Sequence, residues 1–160
     1  MAKYTVHSRL ATTPAQSNVT TTFKTMVSLE AISSGRRGQI YELEVGADGA
    51  PNATDCQIVY DVARQTVTGT QGAASTPTML NPADGAATTV AKINHTIEPT
   101  VTANSGILAI ALNQRASQRW IAAPGSELVW PATAANGLVC RALSPTYAAP
   151  VLVTSLFDEL

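Results

Sequence analysis

Between Asn113 and Ser144 the chain reads NQRASQRWIAAPGSELVWPATAANGLVCRALS. Three short runs of alternating apolar and polar residues are separated by Pro124-Gly125, Pro131 and Asn136-Gly137. Apolar runs punctuated by Pro and Gly dipeptides are strands joined by turns. The same rhythm recurs along most of the chain, and it restricts the fold to packed β layers.

Further strands are expected where the alternation is clear. Phe23–Ile32 places Phe23, Thr25, Val27, Leu29 and Ala31 on one parity, with a blemish at Met26. In Gln39–Val45, Tyr41, Leu43 and Val45 face one way while Glu42 and Glu44 lie on the wet side. Cys56, Ile58, Tyr60 and Val62 form the apolar face of the next strand. Thr88–Ile93, Thr96–Ala103, Ile107–Leu112 and Val151–Phe157 follow, with a turn at Asn104-Ser105-Gly106. In Ile107–Leu112 bulky and small residues alternate, so one face packs on the core and the other admits a close neighbour.

Thr66–Ala87 has no periodicity and is expected to be a long loop. Asn81-Pro82-Ala83-Asp84 within it has the chemistry of a helix start, enough for one or two turns. Residues 1–22 are polar and Thr-rich, so they are assigned to an N-terminal arm. Such an arm is either a frayed end or a segment that orders on a neighbouring subunit. Residues 23–160 form the domain. Turns every 8 to 12 residues or so give about nine or ten short strands. The fold expected is an all-β, jelly-roll-like antiparallel β-sandwich with at most one short helix.

At 160 residues the chain is long enough to bury a core without a staple. Cys56 and Cys140 lie far apart, match no zinc or CxxC spacing, and fit small buried apolar positions. Met1–Leu10 has charge but lacks the apolar core of a secretory signal, so synthesis in a cytoplasm is expected. No run is long and apolar enough for a membrane span, so no membrane partner is expected.

The formal net charge of −1 lacks the basic footprint of a nucleic-acid binder. Charged residues make up 13% of the chain, against about 25% in an average soluble domain. Thr and Ala fill much of the difference, and such a surface is readily desolvated against a partner.

No constellation for chemistry stands out. His95 lies close to Glu98 in sequence, and a His beside a carboxylate can act as a general base. No Ser or Cys nucleophile in a recognisable context accompanies it, so a surface or cap His is expected. The acidic residues lack calcium-loop spacing, and no P-loop or GxGxxG occurs. We therefore expect no catalytic residue, no cofactor and no metal. The residues suited to a protein interface are Lys3 and Arg9 in the arm, the Arg36-Arg37 pair, and Arg115, Arg119, Trp120 and Trp130. Arg and Trp are enriched where protein surfaces meet, although either Trp equally suits a core.

Several motifs resemble a family of tailed-bacteriophage virion proteins. They are Ile40-Tyr41-Glu42-Leu43, Asn81-Pro82-Ala83-Asp84, Asn94–Thr100, Leu112–Ala116, Arg119–Leu128 and Pro131–Gly137. The similarity runs from about residue 20 to the end. It implies a capsid decoration, cement or minor capsid protein, made in the host bacterial cytoplasm and placed on the virion surface. The partners implied are the major capsid protein and further copies of the chain, as a homotrimer. The competing expectation is a receptor- or glycan-binding sandwich on a tail or head spike, acting through Thr66–Ala87. A small hydrolase using His95 and Glu98 is the third.

Overall fold

The computed structural model describes residues 1–9, 18–32 and 36–160, and among these there are twelve strands and no helix. The strands are β1 (Lys3–His7), β2 (Lys24–Glu30), β3 (Gly38–Ala47), β4 (Gln57–Val67), β5 (Thr70–Ser75) and β6 (Thr78–Met79). They continue as β7 (Val90–Ile97), β8 (Thr100–Asn113), β9 (Ser117–Ile121), β10 (Leu128–Trp130), β11 (Gly137–Leu143) and β12 (Val151–Glu159). All strand pairings are antiparallel. Sheet 1 has the order β10–β3–β12–β1–β6, with β9 also on β3; sheet 2 has the order β5–β7–β2–β11–β4–β8. The chain is an antiparallel β-sandwich.

The core lies between the sheets. Ile40, Leu43, Val45, Val153 and Phe157 of sheet 1 are buried, as are Val27, Leu29, Ile58, Tyr60, Val62 and Leu138 of sheet 2. Tyr4 stacks on Phe157 at 5.5 Å between ring centroids, and Trp130 meets the same ring edge-on at 5.7 Å.

Two bulges explain where the alternation fails. Opposite β12, Leu156 pairs with Glu42 and Phe157 with Ile40, which leaves Tyr41 as an extra residue. The bulge reverses the parity, so Ile40 is buried and Tyr41 is outside the core that Leu43 and Val45 share. Met26 is the extra residue on β2, between Val27 and Thr25 opposite Cys140 and Arg141. The turn expected at Asn104-Ser105-Gly106 is also an irregularity, inside the single strand β8. Asn104 has φ 56°, in the left-handed region that Asn tolerates better than most residues.

The arm and the long loop need correction. Residues 3–7 form β1, paired to β12 and β6, with Tyr4 and Val6 buried and Lys3, Thr5 and His7 facing outward. Val19 is also buried, and its N–H donates to the Ala149 carbonyl at 3.2 Å. Residues 1–9 and 18–22 therefore belong to the domain; the remainder of the assigned arm lies outside the described residues. Thr66–Ala87 contains β5 and β6, which extend the two sheets. The Asn81 segment closes one turn, with Asn81 accepting from Ala83 N at 3.1 Å and from Asp84 N at 3.0 Å. The Gly85 carbonyl, needed to continue a helix, instead accepts from the Tyr4 hydroxyl at 3.0 Å.

Candidate interaction surface

The outer face of sheet 2 is closed by its own side chains. Glu30 is 5% exposed and holds Lys92, Gln65 Nε2 and the Thr68 hydroxyl. Arg141 pairs with Asp61 at 2.6 Å and lies over the Phe23 ring at 4.1 Å. Glu98 forms an ion pair with Lys24 at 2.6 Å and accepts from Thr25 N at 2.7 Å. The buried Glu30 charge persists because it has an ionic partner and further hydrogen bonds.

His95, expected at the surface, is 2% exposed. Its Nε2 lies 3.2 Å from the Ser28 hydroxyl, and Nδ1 has no hydrogen-bond partner among the described residues. Glu98 is held by Lys24 and backbone rather than by the imidazole, so the two do not form the base and orienter of a hydrolytic site. Burial pushes the imidazole below its ordinary value; Lys24 and Lys92 push the same way, while Glu98 and Glu30 oppose them.

A depressed histidine pKa means that the folded state binds fewer protons than the unfolded one. The stability from neutral His95 is then complete above 6.5 and is lost as pH falls from there toward the lower folded value. Thermal melting across mildly acidic pH is expected to fall less steeply in His95→Gln than in the wild type. Identical slopes would contradict this.

The outer face of sheet 1 is open, and its register defines rows across the strands. One row is Thr5, Leu156, Glu42 and Ile121; the next is His7, Thr154, Glu44 and Arg119; then come Leu152, Gly46 and Ser117. Ile121 is 57% exposed, and Leu152, Thr154 and Leu156 are half-buried. Arg119 donates to Glu42 at 2.5 Å and lies 3.9 Å from Glu44. That hydrogen bond holds the Glu42 carboxyl below the usual range. Glu44, Gly46, Ser117, Arg119, Leu152 and Thr154 border a shallow depression. It stays shallow and open where Gly46 has no side chain, since a Cβ there would come within 3.2 Å of Ser117 Cβ.

The expected interface residues separate on this frame. Lys3 and Arg119 lie on the open face, and Lys3 also covers the Tyr41 ring at 4.8 Å. Arg36 and Arg37 are exposed beside the end of β12, where the Arg37 carbonyl accepts from Leu160 N at 2.8 Å. Arg9 is exposed and lies 3.9 Å from Asp48. Arg115 is engaged within the chain by Asp55 at 2.9 Å and by the Asn52 carbonyl at 3.1 Å.

Trp120 is opposite Leu43 and is half-buried against the core, on the other side of β9 from Arg119. Trp130 is fully buried and is no interface anchor, because Gly38 on β3 makes room for its indole inside the sandwich. Ile121, Leu152 and Leu156 were not singled out from sequence, although Leu152 and Leu156 sit on the opposite parity to Val151 and Val153.

Cys56 and Cys140 are free thiols. Cys140 is buried, which pushes its thiol up to about 12; Cys56 is half-buried and donates to Gln114 Oε1 at 3.3 Å. Among the described residues, no group of three or more His, Cys, Asp or Glu side chains could hold a metal ion, and no helix is long and apolar enough to cross a membrane. Comparison with protein-family models, curated proteins and solved structures returned no match.

Proposed function

We propose that this chain is a virion structural protein that decorates or cements a bacteriophage capsid, binding the major capsid protein as a homotrimer on the shell surface. The observation that supports this most is the contrast between the outer faces. Sheet 2 is closed by paired charges, whereas sheet 1 presents an open face on which exposed Ile121 and half-buried Leu152, Thr154 and Leu156 surround the Arg119–Glu42 pair. A flat face of this kind is cheaply desolvated, and modest energy per copy adds up over a repeating shell.

The strand order supports a jelly-roll reading of the sandwich. β1–β12–β3 with β9 and β10 faces β2–β11–β4–β8, and β5, β6 and β7 extend the opposite edges. The phage-like motifs named above agree with this role.

The test is location and copy number. The chain should co-sediment with purified capsids in near-stoichiometric amount and appear as density on the outer shell. Ile121→Arg and Thr154→Arg should melt as the wild type does and bind capsids about tenfold or more weakly. Absence from particles, or full binding by both variants, would overturn the proposal.

The polar rim of the Arg119 depression favours a second reading, a receptor- or glycan-binding module. Retention on host cells or polysaccharide that is lost in Arg119→Ala would favour it.

A further inference from the structure

β8 is the edge of sheet 2, and its outer side has no strand partner among the described residues. Its second half pairs regularly with β4, from Leu108 opposite Val62 to Asn113 opposite Gln57, so its backbone is held straight and extended. An edge of this kind presents a row of free N–H and C=O groups, and proteins ordinarily guard it with Pro, Lys, a bulge or brevity. The other edges are guarded. β6 has 2 residues and β10 has 3. β9 carries Arg119. β5 has 6 residues, contains Gly72, and changes register at Thr70/Gln71. Thr100–Asn113 has 14 residues and contains neither Pro nor any charge, and its register shifts all fall before Leu108, which leaves Leu108–Asn113 unguarded.

The local charges are also silent. Asp61, opposite Ala109, is neutralised by Arg141 at 2.6 Å. Arg115, beyond the strand end, is neutralised by Asp55.

The sequence of this edge selects its occupant. Leu108-Ala109-Ile110-Ala111-Leu112 reads the same in both directions. In antiparallel pairing about a two-fold axis through Ile110, Leu108 meets the other copy's Leu112, Ala109 meets its Ala111, and Ile110 meets itself. Bulky residues then face bulky ones and small face small, and no charge opposes another. Leu108, Ile110 and Leu112 pack against the core yet stay half-buried, and Leu108 and Ile110 line a narrow crevice with Leu43, Val45, Tyr60 and Val153. Ala109 and Ala111 are exposed on the other face. A second copy's strand would cover the half-buried row and continue the sheet.

We propose that residues 107–113 of β8 pair with the same residues of a second copy about a two-fold axis, giving one sheet shared by two chains. The contact does not depend on the capsid reading. If three-fold assemblies also form, it links neighbouring trimers rather than building them.

The test uses two double variants with the same number of new charges on the exposed face. In the proposed register, Ala109→Lys/Ala111→Lys sets lysine against lysine across the axis, whereas Ala109→Lys/Ala111→Glu sets lysine against glutamate. Sedimentation equilibrium of the full chain over a concentration series should show a dimer, or a hexamer where trimers form. The first variant should weaken the two-fold step at least tenfold, and the second should preserve it and become salt-sensitive. Hydrogen exchange of Ile107–Asn113 amides should slow with concentration in the wild type and in the second variant, and not in the first. A chain that stays monomeric or trimeric at its solubility limit, or a dimer equally unaffected or equally lost in both variants, would overturn the proposal. Both variants should show wild-type melting, which separates loss of pairing from loss of fold.

Discussion

Trp130→Ala is expected to lower the unfolding free energy by about 3–5 kcal/mol, the range for truncating a large buried aromatic. A typical domain has only about 5–15 kcal/mol in total, so the midpoint in urea should shift far while the slope stays constant. Trp130 is fully buried and ends a strand of 3 residues, so it is the largest anchor of β10, beside half-buried Leu128, the Arg64 bond to the Val129 carbonyl and three pairs with β3. The indole meets Phe157 and fills the space over Gly38, where a Cβ would fall 2.1 Å from Trp130 Cζ2. The two positions are therefore coupled. Gly38→Ala should be strongly destabilising in the wild type and much less so in Trp130→Ala, where the obstructing ring is gone. Additive losses, or a loss below about 1 kcal/mol for Trp130→Ala, would show that this packing does not hold β10.

Much of the frame was legible from parity alone. Ile58, Tyr60 and Val62, and likewise Val151, Val153 and Phe157, face the core as their alternation indicates. Parity fails where an extra residue enters one strand, since no residue type announces the bulges at Tyr41 and Met26. β1 was missed because its core contribution is only Tyr4 and Val6 among polar neighbours, and its partner β12 lies at the far end of the chain.

On the surface, Lys3 and Arg119 could be read as exposed charges. The burial of Glu30, Asp61 and His95 could not, since each depends on partners that only the fold brings near: Lys92, Arg141 and Ser28. A strand residue of outward parity is ordinarily wet. Here Thr68, Glu98 and the bend at Asn94, which has φ 57°, bring later segments across β2.

Those partners make Glu30 the most consequential charge in the domain. Glu30→Ala is expected to destabilise by about 3–5 kcal/mol, because removing one member of a buried pair leaves the other charge uncompensated. The Glu30 and Lys92 side chains are 6% and 14% exposed, so salt should change this loss little. The same substitution frees Gln65 Nε2 and the Thr68 hydroxyl, both of which now donate to Glu30 Oε2. Lys92→Met in the Glu30→Ala background should recover a large part of the loss by removing the stranded ammonium, and chemical denaturation of the four-member cycle measures the coupling. No recovery would place the loss in the Gln65 and Thr68 bonds instead. Because sheet 2 is braced and sheet 1 is open, Glu30→Ala should lower stability without changing the affinity of the folded protein for capsids. Ile121→Arg should do the reverse, and this double dissociation separates the brace from the docking face.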